Sequence, residues 1–176
     1  MDNLEQRTFK NTLSDFEINL QLSDKFDNLP PEKWICEVAK RALLGSNAPI
    51  GSSVSIVITT DDVITELNAA HRGLNETTDV LAFSFIHEGE YYGDPKNISE
   101  PRIDPSFKLP PGVNETLGEI IISYQQAERQ SREFSQSLNT ELAKLITHGT
   151  LHLMGYDHLK PDEKITMEAL EKEILK

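Results

Sequence analysis

One cysteine among 176 residues excludes any disulfide within the chain. Packing has to hold the fold, and a reducing cytoplasm is the simplest compartment for it. That thiol, Cys36, falls in an apolar helical stripe, where burial is expected before reactivity. No apolar run approaches the roughly 18–20 residues that cross a bilayer. The opening MDNLEQRTFKNTL has neither the basic flank nor the apolar stretch of a signal peptide, so the sequons at Asn75, Asn97 and Asn114 read as chance matches. Positive charge is scarce too: 17 Lys and Arg against 29 Asp and Glu leave a net charge of −12. That argues against broad, non-specific nucleic-acid binding, which needs clustered cations, while leaving room for a compact site that holds one strand. Composition alone favours a small-molecule or protein substrate. With 38% apolar and 26% charged residues, the chain suits one globular domain spanning 1–176, with length enough for a real core.

Periodicity supplies the elements. Ile18, Leu20 and Leu22 alternate with polar residues as in a short strand. A helix is expected from Pro30-Pro31, carrying Trp34, Ile35, Val38, Ala42 and Leu43 on one side and stopping at Gly45. The β-branched run Val54 to Thr59 reads as a strand, and Thr60 is placed to cap a helix from Asp61 to Ala70. Asp79 to Ile86 reads as a buried strand and Glu119 to Ser123 as another. Between these last two, residues 87–115 hold five of the nine prolines and no hydrophobic period, which predicts a long inserted loop. Helices are expected over about 124–134 and 139–154, and a last one from Pro161 carrying Met167, Leu170, Ile174 and Leu175. Intermixed strands and helices without repeats predict an α+β or α/β layered fold.

Histidine is rare, at five residues, yet three fall within His148-Gly149-Thr150-Leu151-His152-Leu153-Met154-Gly155-Tyr156-Asp157-His158. His148 and His152 are four apart on a predicted helix, so their rings share a face. Gly155 suits the helix end, and the turn after it can return His158 toward the same point. Three protein donors with a fourth position open describe a catalytic rather than a structural zinc site, whose bound water ionises near neutral pH and can act as nucleophile. The alternatives are solvated histidines at a helix end, or a metal that is merely structural. Imidazole donors suit Zn²⁺ and also Ni²⁺, Cu²⁺ or Fe²⁺. The frame H-x₃-H-x₂-G-x₂-H also matches metzincin proteases, but those carry a glutamate base where this chain has Gly149, which weakens a protease reading.

The same stretch resembles the YbeY family of endoribonucleases, matching H-G-x-L-H-L-x-G-Y-D-H at every specified position. Leu67-Asn68-Ala69-Ala70-His71-Arg72-Gly73 with Thr78 to Phe83, and Leu117-Gly118-Glu119-Ile120, resemble two further family segments. The resemblance runs from about residue 50 to 158, interrupted by the insert. It implies a small α+β fold, a mixed sheet of about four strands covered by helices, with one metal at the mouth of a cleft. It also implies metal-dependent, single-strand-specific cleavage of RNA, in which a metal-activated water attacks a phosphodiester. The family is linked to 3′-end maturation of the small-subunit (16S-type) ribosomal RNA and to ribosome quality control. The partners are then a single-stranded rRNA precursor and the ribosome or its small-subunit proteins.

By that resemblance His148, His152 and His158 are the metal ligands and Arg72 faces the substrate phosphate. A planar guanidinium fork suits a phosphate oxygen; a surface ion pair with Glu66, Glu76 or Asp79 is the other use of Arg72. Asp157 and Glu119 are candidates to orient a ligand ring from behind, or to accept a proton; for Asp157 a turn-stabilising bond to backbone is the alternative. The chain departs from the family at His71, where an aromatic residue is usual, at Glu119 for aspartate, at Leu74 to Thr77, which lacks a lysine, and in the length of its acidic insert. Two rival functions remain: a ribosome-assembly factor with a structural metal, its acidic surface suited to basic proteins, and the less favoured metalloprotease.

Overall fold

The computed structural model describes residues 16–87 and 116–176. The expected loop therefore lies outside the described residues, apart from His87, as do the sequons at Asn97 and Asn114. In chain order the elements are β1 (Glu17–Leu22), α1 (Glu32–Gly45), β2 (Ser53–Thr59), α2 (Asp61–Arg72), β3 (Val80–Ser84), β4 (Thr116–Ser123), α3 (Tyr124–Glu133), α4 (Leu138–Leu153) and α5 (Pro161–Ile174). The strands form one mixed sheet in the order β1-β2-β4-β3. β1, β2 and β4 run parallel, and β3 pairs antiparallel with β4 at the sheet's end. The fold is the expected α+β arrangement of four strands and covering helices.

Alternation along the strands divides the core in two. Ile56, Ile58, Ile120 and Ile122 face α1 and α4, whose Ile35, Val38, Leu43, Leu142 and Ile146 complete the larger cluster. On the other face Ile121 and Leu81 meet Ile64 of α2, with Val57, Leu67 and Phe83 packed around them. Burying each of these side chains contributes roughly 1.5–3 kcal/mol. The face under α4 therefore outweighs the face under α2. Cys36 is half-buried, and burial pushes its thiol pKa up, which leaves it a poor nucleophile.

Three expectations need correction. The strand expected to be buried over Asp79 to Ile86 is the shorter β3 at the sheet's edge, where only Leu81 is buried. β4 begins at Thr116, three residues before the expected Glu119. Ser53 pairs with Thr116 but Ser55 with Glu119, so β4 carries an extra residue, a bulge that the hydrophobic pattern of EIIIS does not reveal. Gly118 makes the bulge possible: its φ is +153°, and a Cβ there would collide with the Phe83 carbonyl oxygen. At the start of α2, Thr60 makes no side-chain cap bond. The Asp61 N–H donates instead to Gln125 Oε1 at 3.1 Å. Asp61 is further held by Arg129 at 2.8 Å and Ser123 at 2.5 Å, and the guanidinium holds its carboxyl below the usual carboxylate range.

Candidate metal centre

α4 enters through a Ser137 cap, whose hydroxyl accepts from Thr140 N–H at 3.1 Å, and buries Leu142, Leu145, Ile146, Leu151 and Leu153. That burial fixes the helix's rotation and turns His148 and His152 outward along one stripe. Gly149 lets the helix press flat on the sheet, for a Cβ there would sit 2.7 Å from Ile120 Cγ2. The helix ends at Gly155, with φ +83°, where the Tyr156 N–H reaches back to the Leu151 carbonyl at 3.0 Å. This left-handed turn folds residues 156–158 back over the last helical turn.

The consequence is a cluster. One ring nitrogen from each of His148, His152 and His158 lies within 4.8 Å of the others, and Nε2 of His148 stands 3.0 Å from Nε2 of His152. Ring centroids are 4.6 Å apart for His148–His152, 5.1 Å for His152–His158 and 5.5 Å for His148–His158. Donors around a tetrahedral zinc stand about 3.3 Å apart, and the exposed His158 ring has room to close that spacing. Burial, followed by repulsion from His148 and His158, lowers the His152 pKa to about 4. A neutral ring near pH 7 is the form that ligates a metal. The donor set fits a borderline-soft transition ion.

The three rings open onto a cleft of about 800 Å³ that is also lined by Ala82 and Phe83 of β3 and by His71 and Arg72 at the end of α2. Ser84 ties this wall to the metal helix through a 3.0 Å bond to the Leu153 carbonyl. Arg72 is half-buried, and among the described residues no ion pair engages it. Gly73 ends α2 in the left-handed region, with φ +68°. His71 is exposed, its ring 5.0 Å from that of Phe83.

The remaining candidates separate. Asp157 lines the cleft but spends one oxygen on the His158 N–H, 2.7 Å away, the turn-stabilising use. Glu119 shares strand parity with Ile121, on the α2 face of the sheet, and takes a bond from Ser55 at 3.4 Å. The structure does not bring it to the histidines. Two neighbours escaped the sequence reading. His87 packs over Gly155, where a Cβ would lie 3.2 Å from its ring. Glu171, on α5, places a carboxylate oxygen 2.5 Å from His148 Nδ1. The motif contains no trace of Glu171, though its offset from Met167 on an amphipathic helix put it on an inward-facing stripe.

The family model described as Endoribonuclease YbeY matches residues 17–176. Endoribonuclease YbeY of Symbiobacterium thermophilum is 42% identical over 146 residues, covering 82% of this chain and 84% of the relative. Endoribonuclease YbeY of Dehalococcoides mccartyi is 39% identical over 153 residues, covering 87% of each. A solution structure of a Thermotoga maritima protein superposes with a TM-score of 0.54 at 25% identity, over 90% of this chain and 86% of that one.

Proposed function

The chain belongs to the YbeY endoribonuclease family, and we propose that it cleaves single-stranded RNA with one zinc ion held by His148, His152 and His158. The observation that carries the reading is the convergence of three imidazoles in a cleft that Arg72 also lines. A zinc ion bound there supplies Lewis acidity and a water acidic enough to ionise near pH 7.

The chain's own groups do the rest. His148 and His152 offer donors from a helix locked by its buried side, and His158 closes the set from the turn. The Arg72 guanidinium binds a non-bridging phosphate oxygen, orients the phosphodiester toward the metal and offsets charge that builds on phosphorus. A guanidinium not engaged by any described carboxylate is ready for that role. Single-strand preference follows from access: an unpaired strand can bend its backbone into a cleft along a sheet edge, whereas an A-form duplex holds its phosphates on a stiff cylinder.

The acidic surface reconciles with RNA cleavage if the binding energy is local to the cleft and the surrounding negative charge meets basic ribosomal proteins. The physiological substrate in this reading is the 3′ end of small-subunit rRNA precursor, processed in the cytoplasm as part of ribosome quality control. No helix among the described residues is long and apolar enough to cross a membrane. The protease reading loses further ground, because the position that would carry a glutamate base has its Cβ direction blocked by Ile120.

The test compares a single-stranded RNA with the same sequence paired in a duplex, before and after chelation. Cleavage should be confined to the single strand, vanish with the metal and return with one equivalent of zinc per chain. Undiminished cleavage after verified metal removal contradicts the proposal. If RNA processing in cells persists with a folded, ribosome-binding His152→Ala protein, an assembly factor with a structural metal is the better account.

A further inference from the structure

We infer that Glu171 is a positioning residue for the metal site, accepting the Nδ1 proton of His148 so that Nε2 is presented to the metal, and that α5 is thereby part of the metal centre. The inference rests on the zinc reading above. A neutral imidazole has two tautomers, and only the one with its proton on Nδ1 leaves the Nε2 lone pair free. The Glu171 carboxylate lies 2.5 Å from Nδ1, while Nε2 of the same ring points at Nε2 of His152, 3.0 Å away. The two ring nitrogens of His148 are thus divided, one for the carboxylate and one for the cluster. A carboxylate behind a ligand histidine fixes the ring's orientation and raises its basicity.

Packing places Glu171 there. Met167, Glu171 and Ile174 are spaced four and three apart, on one face of α5. Met167 is 1% exposed, and Ile174 seats against Gly45 of α1, where a Cβ would lie 2.5 Å from Ile174 Cγ1. These two anchors bracket Glu171 and leave it half-buried beside His148. Other acids of α5 are not used this way. Glu168 sits 3.9 Å from Lys164 on the surface, and Glu173 is exposed.

Zinc affinity should be measured by competition with a chromophoric chelator for the wild type, Glu171→Ala, Glu171→Gln and, as a charge control on the same helix, Glu173→Gln. The expected loss is about 10–100-fold for Glu171→Ala. Glu171→Gln, which keeps an acceptor oxygen, should fall between it and the wild type, and Glu173→Gln should bind as the wild type does. In the zinc-loaded wild type the His148 Nδ1–H should give an exchange-protected imidazole resonance by NMR that Glu171→Ala lacks. A helix anchor alone would lower thermal stability and leave both readouts unmoved. Equal zinc affinity of wild type and Glu171→Ala, with the resonance retained, overturns the inference while the zinc reading stands. Failure of the wild type to take up zinc overturns both.

Discussion

Two glycines follow two of the proposed functional residues, and their surroundings differ sharply. Gly149, after His148, has Ile120 where its Cβ would be, at 2.7 Å; Gly73, after Arg72, has nothing within 4 Å. The proposed metal side of the cleft is therefore a helix pressed on the sheet, and the proposed substrate side is a helix end with open space beside Gly73. His152 is flanked by Leu151 and Leu153, both fully buried. Arg72 is the last residue of its helix. In the proposed reading, ligands that must hold a fixed polyhedron stand on a rigid element, whereas the group proposed to meet a flexible polymer stands where it can adjust.

The largest break in that comparison should come from His152→Ala. Loss of the metal's contribution, several kcal/mol of transition-state stabilisation, should reduce cleavage of single-stranded RNA by about a thousandfold or more. Measured zinc content should fall with it.

Acid should act next, on the metal side. In metal-free protein the His152 pKa stands at about 4 against an ordinary 6.5, so the unfolded chain takes up a proton across that window that the fold refuses. Stability should be full above about pH 6.5 and should decline by up to about 3 kcal/mol as the pH falls to about 4. Urea unfolding of chelated protein across that range checks the sign, and a flat profile contradicts it.

On the substrate side, Arg72→Ala should cost about a hundredfold in cleavage. It should leave zinc stoichiometry intact and unfolding free energy within about 0.5 kcal/mol of the wild type. A loss of zinc in this variant would erase the distinction between the two sides. Gly149→Ala should cost about 2 kcal/mol of stability by overpacking against Ile120. Gly73→Ala meets no neighbour and pays only for its left-handed backbone, about 1 kcal/mol. Thermal unfolding of the two glycine variants side by side sharpens the contrast between buried and open sites.

Much of this is legible in the sequence. Apolar periods located every described element, because helices and strands with one buried face must show it. Gly45 and Gly155 mark helix ends, and the three histidines are visible because two share a helix face and a glycine turn returns the third. What escaped depends on contacts distant in sequence. The bulge at Leu117-Gly118 is set by the approach of the Phe83 carbonyl, and the cap at Asp61 comes from Gln125 on another helix. Glu171 lies 23 residues beyond His148, and only the docking of α5 against α4 brings the two together. Glu119 was proposed from its place in a motif, whereas strand alternation with Ile121 puts it on the sheet's other side.

The proposed cleavage requires three imidazoles sharing a single ion that does the cutting. Titrating metal-free protein with zinc while following cleavage of one single-stranded RNA tests this most directly. Activity should rise linearly and stop at one zinc per chain, and a His148→Ala/His152→Ala double variant should show neither uptake nor cleavage. Cleavage that is already maximal without zinc, or that persists in the double variant, would contradict it.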